Sequence, residues 1–278
     1  MQYKFFYLPL VLAFFLAACY TPRYIYSPSA TNVPVLEKKG DSKLAVFCSG
    51  SPFSNTASTS YYNYGLDIQA AYAIAPHWAL MLNESIRRER NSGDFSFILS
   101  DSTVIRYKRN LTEIGGGYFV PFSAGSKLRF QFMGGLGLGK FTMDDNGKND
   151  QNQYYSRFHE TGVTKLFFQP AIQLRYSKYF VTSFATRFTV IWYQDIKTNY
   201  TPDELQAFLL NELTTSPRTF LEPAVINAFS FKKLPDLRFE IQLGFASLVS
   251  HRFLDYRSMN ISAGACMDFS KLKKRFRT

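Results

Sequence analysis

The stretch KLRFQFMGGLGLGKF, residues 127–141, carries the pattern that decides the fold. Alternate side chains of an extended strand face opposite sides of a sheet. One face of this stretch carries large apolar side chains, at Leu128, Phe130, Phe132, Leu136 and Leu138. The opposite face carries Arg129, Gln131, Met133 and three of the glycines. The stretch therefore predicts a long strand with an apolar face and a polar or small-residue face.

The same alternation recurs along most of the chain. It marks about ten segments, near 43–50, 63–74, 78–88, 104–120, 127–141, 163–175, 179–194, 219–231, 237–248 and 256–269. Most of them are longer than the usual strand of about 5–6 residues. They reach the 9–11 residues or so that a tilted strand needs to cross a bilayer. The pattern predicts an all-β chain with membrane-crossing strands.

The connections between these segments alternate in length. APH at 75–77 and SK at 177–178 are short, whereas the connections around 51–62 and 144–160 are long. Outer-membrane barrels have short periplasmic turns and long external loops. We therefore expect a closed antiparallel barrel of about ten strands (8–10) spanning 43–269. An even strand count predicts that both termini lie on the periplasmic side.

One short helix is expected in the longest connection, at TPDELQAFLLNEL, residues 201–213. Thr201 can cap it, Pro202 suits its first turn, and Asp203 and Glu204 suit its positive end. Four apolar residues could form its buried stripe, Leu205, Phe208, Leu209 and Leu213. We interpret this helix as a lid packed on the barrel mouth.

The start of the chain predicts a lipoprotein. An uncharged run, residues 5–18, follows Lys4 and is shorter than the 20 or so residues of a transmembrane helix. It ends in LAAC, residues 16–19, which looks like a bacterial lipobox. We expect residues 1–18 to be a signal peptide and Cys19 to be lipidated, with the acyl groups in the inner leaflet. Residues 19–42, with little periodicity, would form a tether, and 270–278 a basic C-terminal tail.

The inward face of the predicted barrel is polar and charged. It comprises Asp67, Gln69, Arg129, Gln131, Gln169, Gln173, Arg175, Arg187, Arg238, Glu240, Gln242, Asn260 and Asp268. Buried charges are costly unless they are paired. We expect these side chains to pair across the lumen and fill it; a narrow polar conduit is the alternative.

No motif for chemistry is present. His77, His159 and His251 stand alone, and Cys48 and Cys266 form no metal-ligand pattern. No nucleophile elbow and no phosphate loop occurs. We therefore expect no catalytic, cofactor-binding or metal site, and a protein that is not an enzyme. His159, Glu160 and His251 would lie near the external rim as solvated residues.

The lipobox and several phrases together resemble uncharacterised outer-membrane β-barrel lipoproteins of Bacteroidota. The phrases are YSPSATNVPVLEKKGDSKLAV, GLDIQAAYAIAPHWAL, RNLTEIGGGYFVPF and GGLGLGKF. The resemblance covers most of the chain and implies a barrel in the cell envelope, with no reaction attached. Acidic residues after the lipidated cysteine mark surface export in many lipoproteins of that group. CYTPRY, residues 19–24, has none, which favours a lipid that faces the periplasm.

These features favour a lipid-anchored outer-membrane barrel with a structural or interaction role, present as a monomer. Two alternatives are a lipid-tethered soluble barrel that binds a small ligand, and a small barrel enzyme or narrow pore. A soluble barrel would place its aromatic residues inside and its charges outside. The net charge of +11 is partly concentrated in the tail. We expect the tail to contact anionic lipid headgroups or peptidoglycan, or to be solvated without a partner, and expect no nucleic acid.

The two remaining cysteines make a geometric prediction. Cys48 would lie near the external end of the first strand and Cys266 near the periplasmic end of the last. In a closed barrel these strands are antiparallel neighbours, so several residues separate the two thiols. We expect no disulfide between them.

Overall fold

The structure is a computed structural model that describes residues 23–51, 60–94, 102–122, 126–148 and 151–268. Ten long strands form the barrel: β1 (Ser42–Gly50), β2 (Ser60–Ala73), β3 (Trp78–Asp94), β4 (Ser102–Pro121), β5 (Leu128–Lys148), β6 (Tyr154–Ser177), β7 (Phe180–Thr198), β8 (Arg218–Phe231), β9 (Leu234–Phe245) and β11 (Met259–Met267). A two-residue strand, β10 (Ser247–Leu248), pairs with β8 beyond the end of β9.

The strands close into an antiparallel barrel, as the sequence predicts. Each strand from β1 to β8 pairs with the next, and β11 pairs with both β9 and β1. The connections 74–77, 122–127, 178–179 and 232–233 lie at one end of the barrel, here called the short-turn end. The other connections, which include the five-residue connection 149–153, lie at the opposite end, here called the long-loop end. Residues 178–179 form one of the short turns, and 199–217 the longest connection between described strands.

An apolar belt surrounds the outside of the barrel. On β5, Phe132 is 45 % exposed and Leu138 is 65 % exposed, whereas Gln131, next to Phe132 on the same strand, is buried. On β9, Ile241 faces outward and Glu240 is buried. This arrangement is opposite to that of a soluble barrel and argues against the soluble alternative. The sequence predicts both faces correctly.

Above the belt, toward the long-loop end, the outward face of the barrel becomes charged and much of the inward face becomes apolar. At the long-loop ends of β4 to β6, outward positions carry the charged pairs Lys108–Asp144 and Lys140–Glu160. Many of the inward side chains there are apolar, among them Tyr107, and belong to a large buried cluster, which lies beside the buried charges of Arg109 and Asp145. Residues 144–160, expected to be mostly loop, are largely strand. The apolar-outward pattern of the membrane belt does not extend there, which explains the error.

The glycines of the 127–141 stretch allow β4 and β5 to approach closely. Gly135 lies opposite Gly115, and a Cβ on Gly135 would collide with the backbone oxygen of Ile114. Gly117 likewise has no space for a Cβ against the backbone oxygen of Phe132. A glycine inside a strand commonly marks such a close backbone approach.

The predicted helix forms α1 (Pro202–Ala207), shorter than expected because Leu209 has a left-handed φ of 57°. Thr201 caps it, and Thr201 and Glu204 form a capping box. No helix in the described ranges is long and apolar enough to span a bilayer.

The two cysteines do not meet. Cys48 pairs in register with Ala263, and Cys266 pairs with Ala45. Cys48 is exposed, Cys266 is buried, and both thiols are free. The prediction of no disulfide is confirmed.

Candidate functional site

The lumen contains part of the protein's own chain. Residues 23–37, here called the lumen segment, were expected to be part of a tether. They instead pass through the barrel, and nearly all of their side chains are buried. At one end, Arg23 contacts Asp145 near the long-loop end of β5; at the other, Arg129 near the short-turn end of β5 donates to the Leu36 carbonyl. The segment therefore runs along the barrel axis.

The length of this path exceeds the membrane. Asp145 and Arg129 are about 16 residues apart on β5, which is about 50 Å at 3.3 Å per residue. A strand tilt of about 40° reduces this to about 40 Å along the axis, against an apolar band of about 25 Å. Residues 23–36 span this distance only if they are nearly extended.

Glutamine side chains of the wall bind the backbone of the lumen segment. Backbone groups of a buried segment need partners, and this segment makes no ladder with a strand. Gln69 donates to the Ala30 carbonyl at 2.9 Å, and Gln242 accepts from the Thr31 N–H at 2.9 Å.

Three further glutamines continue this cradle toward the short-turn end. Gln169 donates to the Asn32 carbonyl at 2.9 Å. Gln131 and Gln173 both donate to the Pro34 carbonyl, at 2.5 and 3.3 Å. We call Gln69, Gln131, Gln169, Gln173 and Gln242 the glutamine cradle. They come from four strands, β2, β5, β6 and β9, so separate parts of the wall bind the extended segment.

Ion pairs occupy the lumen at the level of the membrane. Glu113 accepts from Lys165 at 3.0 Å and from Arg187 at 3.3 Å, and all three side chains are buried. The hydroxyl of Tyr26 in the lumen segment donates to Glu222, which lies 3.9 Å from Lys165. Pairing of inward charges was the sequence-based expectation, but of these residues only Arg187 was in the expected inward set.

Nearer the long-loop end, a second network holds Tyr24. Glu89 accepts from Arg109 at 3.0 Å and from Nε of Arg257 at 2.8 Å. The Arg257 guanidinium lies 3.7 Å from the centre of the Tyr24 ring, and Arg109 donates to the Tyr24 carbonyl. Charged groups at this level are therefore bound to each other and to the segment.

The lid closes over the end of the lumen segment. Asp145 accepts from Arg23 at 2.5 Å and from Tyr200 at 2.7 Å. The Arg23 guanidinium stacks 3.8 Å from the Phe208 ring centre. A cavity of about 270 Å³ lies beside these contacts and is also lined by Arg157.

The lid helix is tied to the wall. Arg157 of β6 donates to Glu204 at 3.0 Å. Burial alone would raise the pKa of Glu204, but hydrogen bonds from the Thr201 N–H and from Arg157 outweigh burial and hold the pKa below its ordinary value. Leu213 is buried in the lid as predicted, whereas Leu209 is exposed.

The histidines do not form a reactive centre. His159 was expected to be a solvated rim residue, but β6 continues past it and buries it at 2 % exposure. Neither of its ring nitrogens has a hydrogen-bond partner among the described residues. Its neighbour Glu160 faces outward and pairs with Lys140 at 2.7 Å. Within the described ranges, no group of three or more His, Cys, Asp or Glu side chains could hold a metal ion.

Two of the sequence-based predictions lie outside the described residues. These are the lipidation of Cys19 after a signal peptide, 1–18, and the basic tail, 270–278. The chain crosses the barrel between Arg23 and Leu36, so the first described residue, Arg23, lies at the long-loop end. The expectation that the N-terminal part of the tether lies at the short-turn end is wrong for the described residues.

Known structures with a similar fold are outer-membrane proteins. The outer membrane protease OmpT from Escherichia coli matches with 8% identity over 83% of this chain and 94% of that chain, at a TM-score of 0.42. A mutant of the monoaromatic hydrocarbon channel TodX matches with 9% identity over 83% and 90%, at a TM-score of 0.37. No protein-family model and no curated protein matches the sequence.

The comparison corrects one expectation. The prediction that this protein is not an enzyme is contradicted, because a protease is among the barrels it resembles. The absence of a sequence motif was therefore insufficient ground for excluding catalysis. At these identities the likeness concerns the fold and transfers no active-site residue. The chain has the fold of an outer-membrane β-barrel protein.

Proposed function

We propose that this protein is a lipid-anchored β-barrel of the outer membrane of a Gram-negative bacterium, with a structural or interaction role in the envelope. Its lumen is closed by its own lumen segment. The observation that carries the proposal is the glutamine cradle, which binds the backbone of residues 30–34 from four strands. Lipidation at Cys19 would tether the same segment to the membrane.

Closure follows from how the lumen is filled. Removing one partner of a buried ion pair costs about 3–5 kcal/mol. Displacing the lumen segment would break the buried ion pair Arg23–Asp145 and, in addition, the buried hydrogen bond from Tyr26 to Glu222. The segment is therefore part of the folded barrel, and the polar conduit considered from the sequence is occupied.

The outer surface leaves the barrel available for interactions. Its apolar belt contacts membrane lipids, and the basic tail, 270–278, would contact anionic headgroups or peptidoglycan. The resemblance to Bacteroidota lipoproteins agrees with this location. We propose a monomer, since β1 and β11 close the sheet without a second chain.

Conductance in planar bilayers tests the closed lumen. The full-length barrel is expected to give no ion-current steps. A variant in which residues 24–36 are replaced by a Gly-Ser linker of equal length is expected to give steps, because the cradle is then emptied. Far-UV circular dichroism and heat-modifiable gel mobility establish that the variant remains a barrel. Steady conductance of the unmodified protein would contradict the proposal.

Lipidation is tested separately by growth with a fatty-acid analogue. The protein is expected to incorporate the label and the Cys19→Ser variant is expected to lose it. Label retained by Cys19→Ser would place the acyl groups elsewhere.

A further inference from the structure

We infer that the mature N-terminus leaves the barrel at its long-loop end, so that Cys19 and its acyl groups lie in the outer leaflet. This inference rests on the proposed lipidation of Cys19. It reverses the side expected from the sequence, which placed the lipid in the inner leaflet. It also gives the barrel a role: it carries the anchor of its own chain across the membrane.

The direction of the lumen segment carries the inference. Toward the short-turn end, the Leu36 carbonyl is bound to Arg129, and the Glu37 N–H is bound to Asp41 at 2.7 Å, just before β1 begins. Toward the long-loop end, Arg23 is fixed by Asp145 and covered by Phe208 of the lid connection. The chain before Arg23 therefore starts from the lid and not from the short-turn end.

Chain reach excludes the inner leaflet. Cys19 lies four positions before Arg23, and an extended chain covers at most about 3.3–3.6 Å per residue, or about 14 Å in total. The path from Arg23 back to the level of Arg129 is about 40 Å, from the strand rise and tilt. A lipid on Cys19 cannot reach the short-turn side while residues 23–36 occupy the lumen.

The barrel wall is short at β11, and there the acyl groups have access to the outer leaflet. The outward residues of β11 remain apolar to its long-loop end at Met259, so this strand ends at the top of the apolar belt. The loop that follows β10 bonds the lumen segment directly: the Ile25 N–H donates to the Asp255 carbonyl at 2.9 Å. The same loop exposes Val249 at 60 % and Phe253 at 58 %.

These exposed apolar side chains lie beside the chain's exit. Single exposed apolar residues are common on any surface. Here they continue the outward apolar face above β9, where Phe245 is 43 % exposed, into the loop that holds Ile25. We therefore place the acyl chains of Cys19 in the lipid next to β9 and β11.

Thiol labelling of intact cells tests the side of the membrane. Thr21→Cys, in a Cys48→Ala background, is treated with a maleimide attached to a polyethylene glycol chain too large to cross an intact outer membrane. Thr214→Cys, exposed in the lid connection, reports the long-loop side. Lys178→Cys, exposed in the β6–β7 turn, reports the short-turn side.

Thr21→Cys is expected to react in intact cells to the extent that Thr214→Cys does, while Lys178→Cys reacts only after permeabilisation. Reaction of Thr21→Cys in step with Lys178→Cys would overturn the inference. If Thr21→Cys reacts neither before nor after permeabilisation because the lid shields it, a cysteine is placed in a Gly-Ser insert after Thr21 instead. Reaction of this cysteine in intact cells supports the inference. Reaction only in permeabilised cells overturns it.

Fatty-acid labelling of the same strains separates the two proposals. Loss of acyl label with surface reaction retained would contradict lipidation but leave the N-terminus outside. Acyl label retained with reaction only after permeabilisation would leave lipidation intact and contradict the outer-leaflet position.

Discussion

At the residue scale, burial and pairing decide which side chains the barrel tolerates. Glu113 faces the lumen, where Lys165, Arg187 and Asn83 all donate to it. Phe132 faces the lipid one position away from Gln131, which binds the lumen segment. A substitution is therefore judged by the face it occupies and by its height relative to the apolar belt.

A charge in the apolar belt is expected to impair assembly. Arginine at the middle of a lipid-facing strand costs about 2–4 kcal/mol, and less near the interface. We expect Phe132→Arg to show this loss in urea unfolding from lipid vesicles. Thr142→Arg is the matched control, since Thr142 faces outward on the same strand above the belt. Equal stability of the two variants would argue that β5 does not face lipid at Phe132.

The Arg23–Asp145 pair is expected to hold the outer end of the lumen segment. Asp145 is buried and also accepts from Tyr200, so Asp145→Asn should cost about 3 kcal/mol. A cost of about 3 kcal/mol corresponds to a more than hundredfold increase in the fraction of molecules whose lumen segment is released. Trypsin cleavage after Arg23, followed by mass spectrometry, measures this population in purified barrel.

The adjacent aspartate provides the control for that experiment. Asp144 faces outward, with 45 % of its side chain exposed, and lies 4.0 Å from Lys108. Exposed pairs of this kind contribute about 0–1 kcal/mol, so Asp144→Asn should leave the cleavage rate nearly unchanged. Equal cleavage rates for Asp144→Asn and Asp145→Asn would argue that the Arg23–Asp145 pair does not hold the outer end of the lumen segment.

At the element scale, the lid and the lumen segment depend on each other. The helix α1 is only six residues long and buries none of its residues. Isolated helices of this length are unstable in water. Its order therefore comes from the Thr201 cap, the Arg157–Glu204 contact and the packing of the following residues on the apolar cluster.

Removing the cap is expected to loosen the lid. Thr201→Ala should cost about 1 kcal/mol, because the Glu204 N–H loses its partner. Hydrogen exchange of amides 203–208 should become several-fold faster in this variant. Thr214→Ala, at an exposed position of the same connection, should leave exchange unchanged. Protection unaffected by Thr201→Ala would show that the cap is dispensable.

At the scale of the whole molecule, the barrel was predictable and its content was not. The period-2 pattern at Leu128–Leu138 reports a strand because one face meets lipid and the other a polar lumen. The lumen segment has no such pattern, since Pro28 and Pro34 interrupt it and its backbone is bound by side chains from different strands. The inward glutamines were identifiable from sequence, but their partner was not.

The long-loop half illustrates a second limit. Above the membrane, apolar side chains such as Tyr107 and Met143 face inward beside a few buried ion pairs, and outward positions carry exposed charges such as Lys108. The alternation of apolar outward and polar inward residues therefore identifies the strands only within the belt. The His159 error has the same origin, because its strand was expected to begin later.

The central claim is that the chain passes through its own barrel, and a cross-link within the lumen tests it most directly. Asn32 of the lumen segment donates to Asn83 of β3 at 2.7 Å. In a background with Cys48→Ser and Cys266→Ala, Asn32→Cys with Asn83→Cys is treated in native membranes with a short thiol cross-linker. The control pairs Asn32→Cys with Leu82→Cys, whose position is 50 % exposed on the lipid face.

Mass spectrometry of the digested protein reads out the result. The account predicts a peptide joining residues 32 and 83 and none joining 32 and 82, because the wall of the barrel separates the latter pair. No link between 32 and 83, or equal links to 82 and 83, would contradict the placement of residues 23–37 in the lumen.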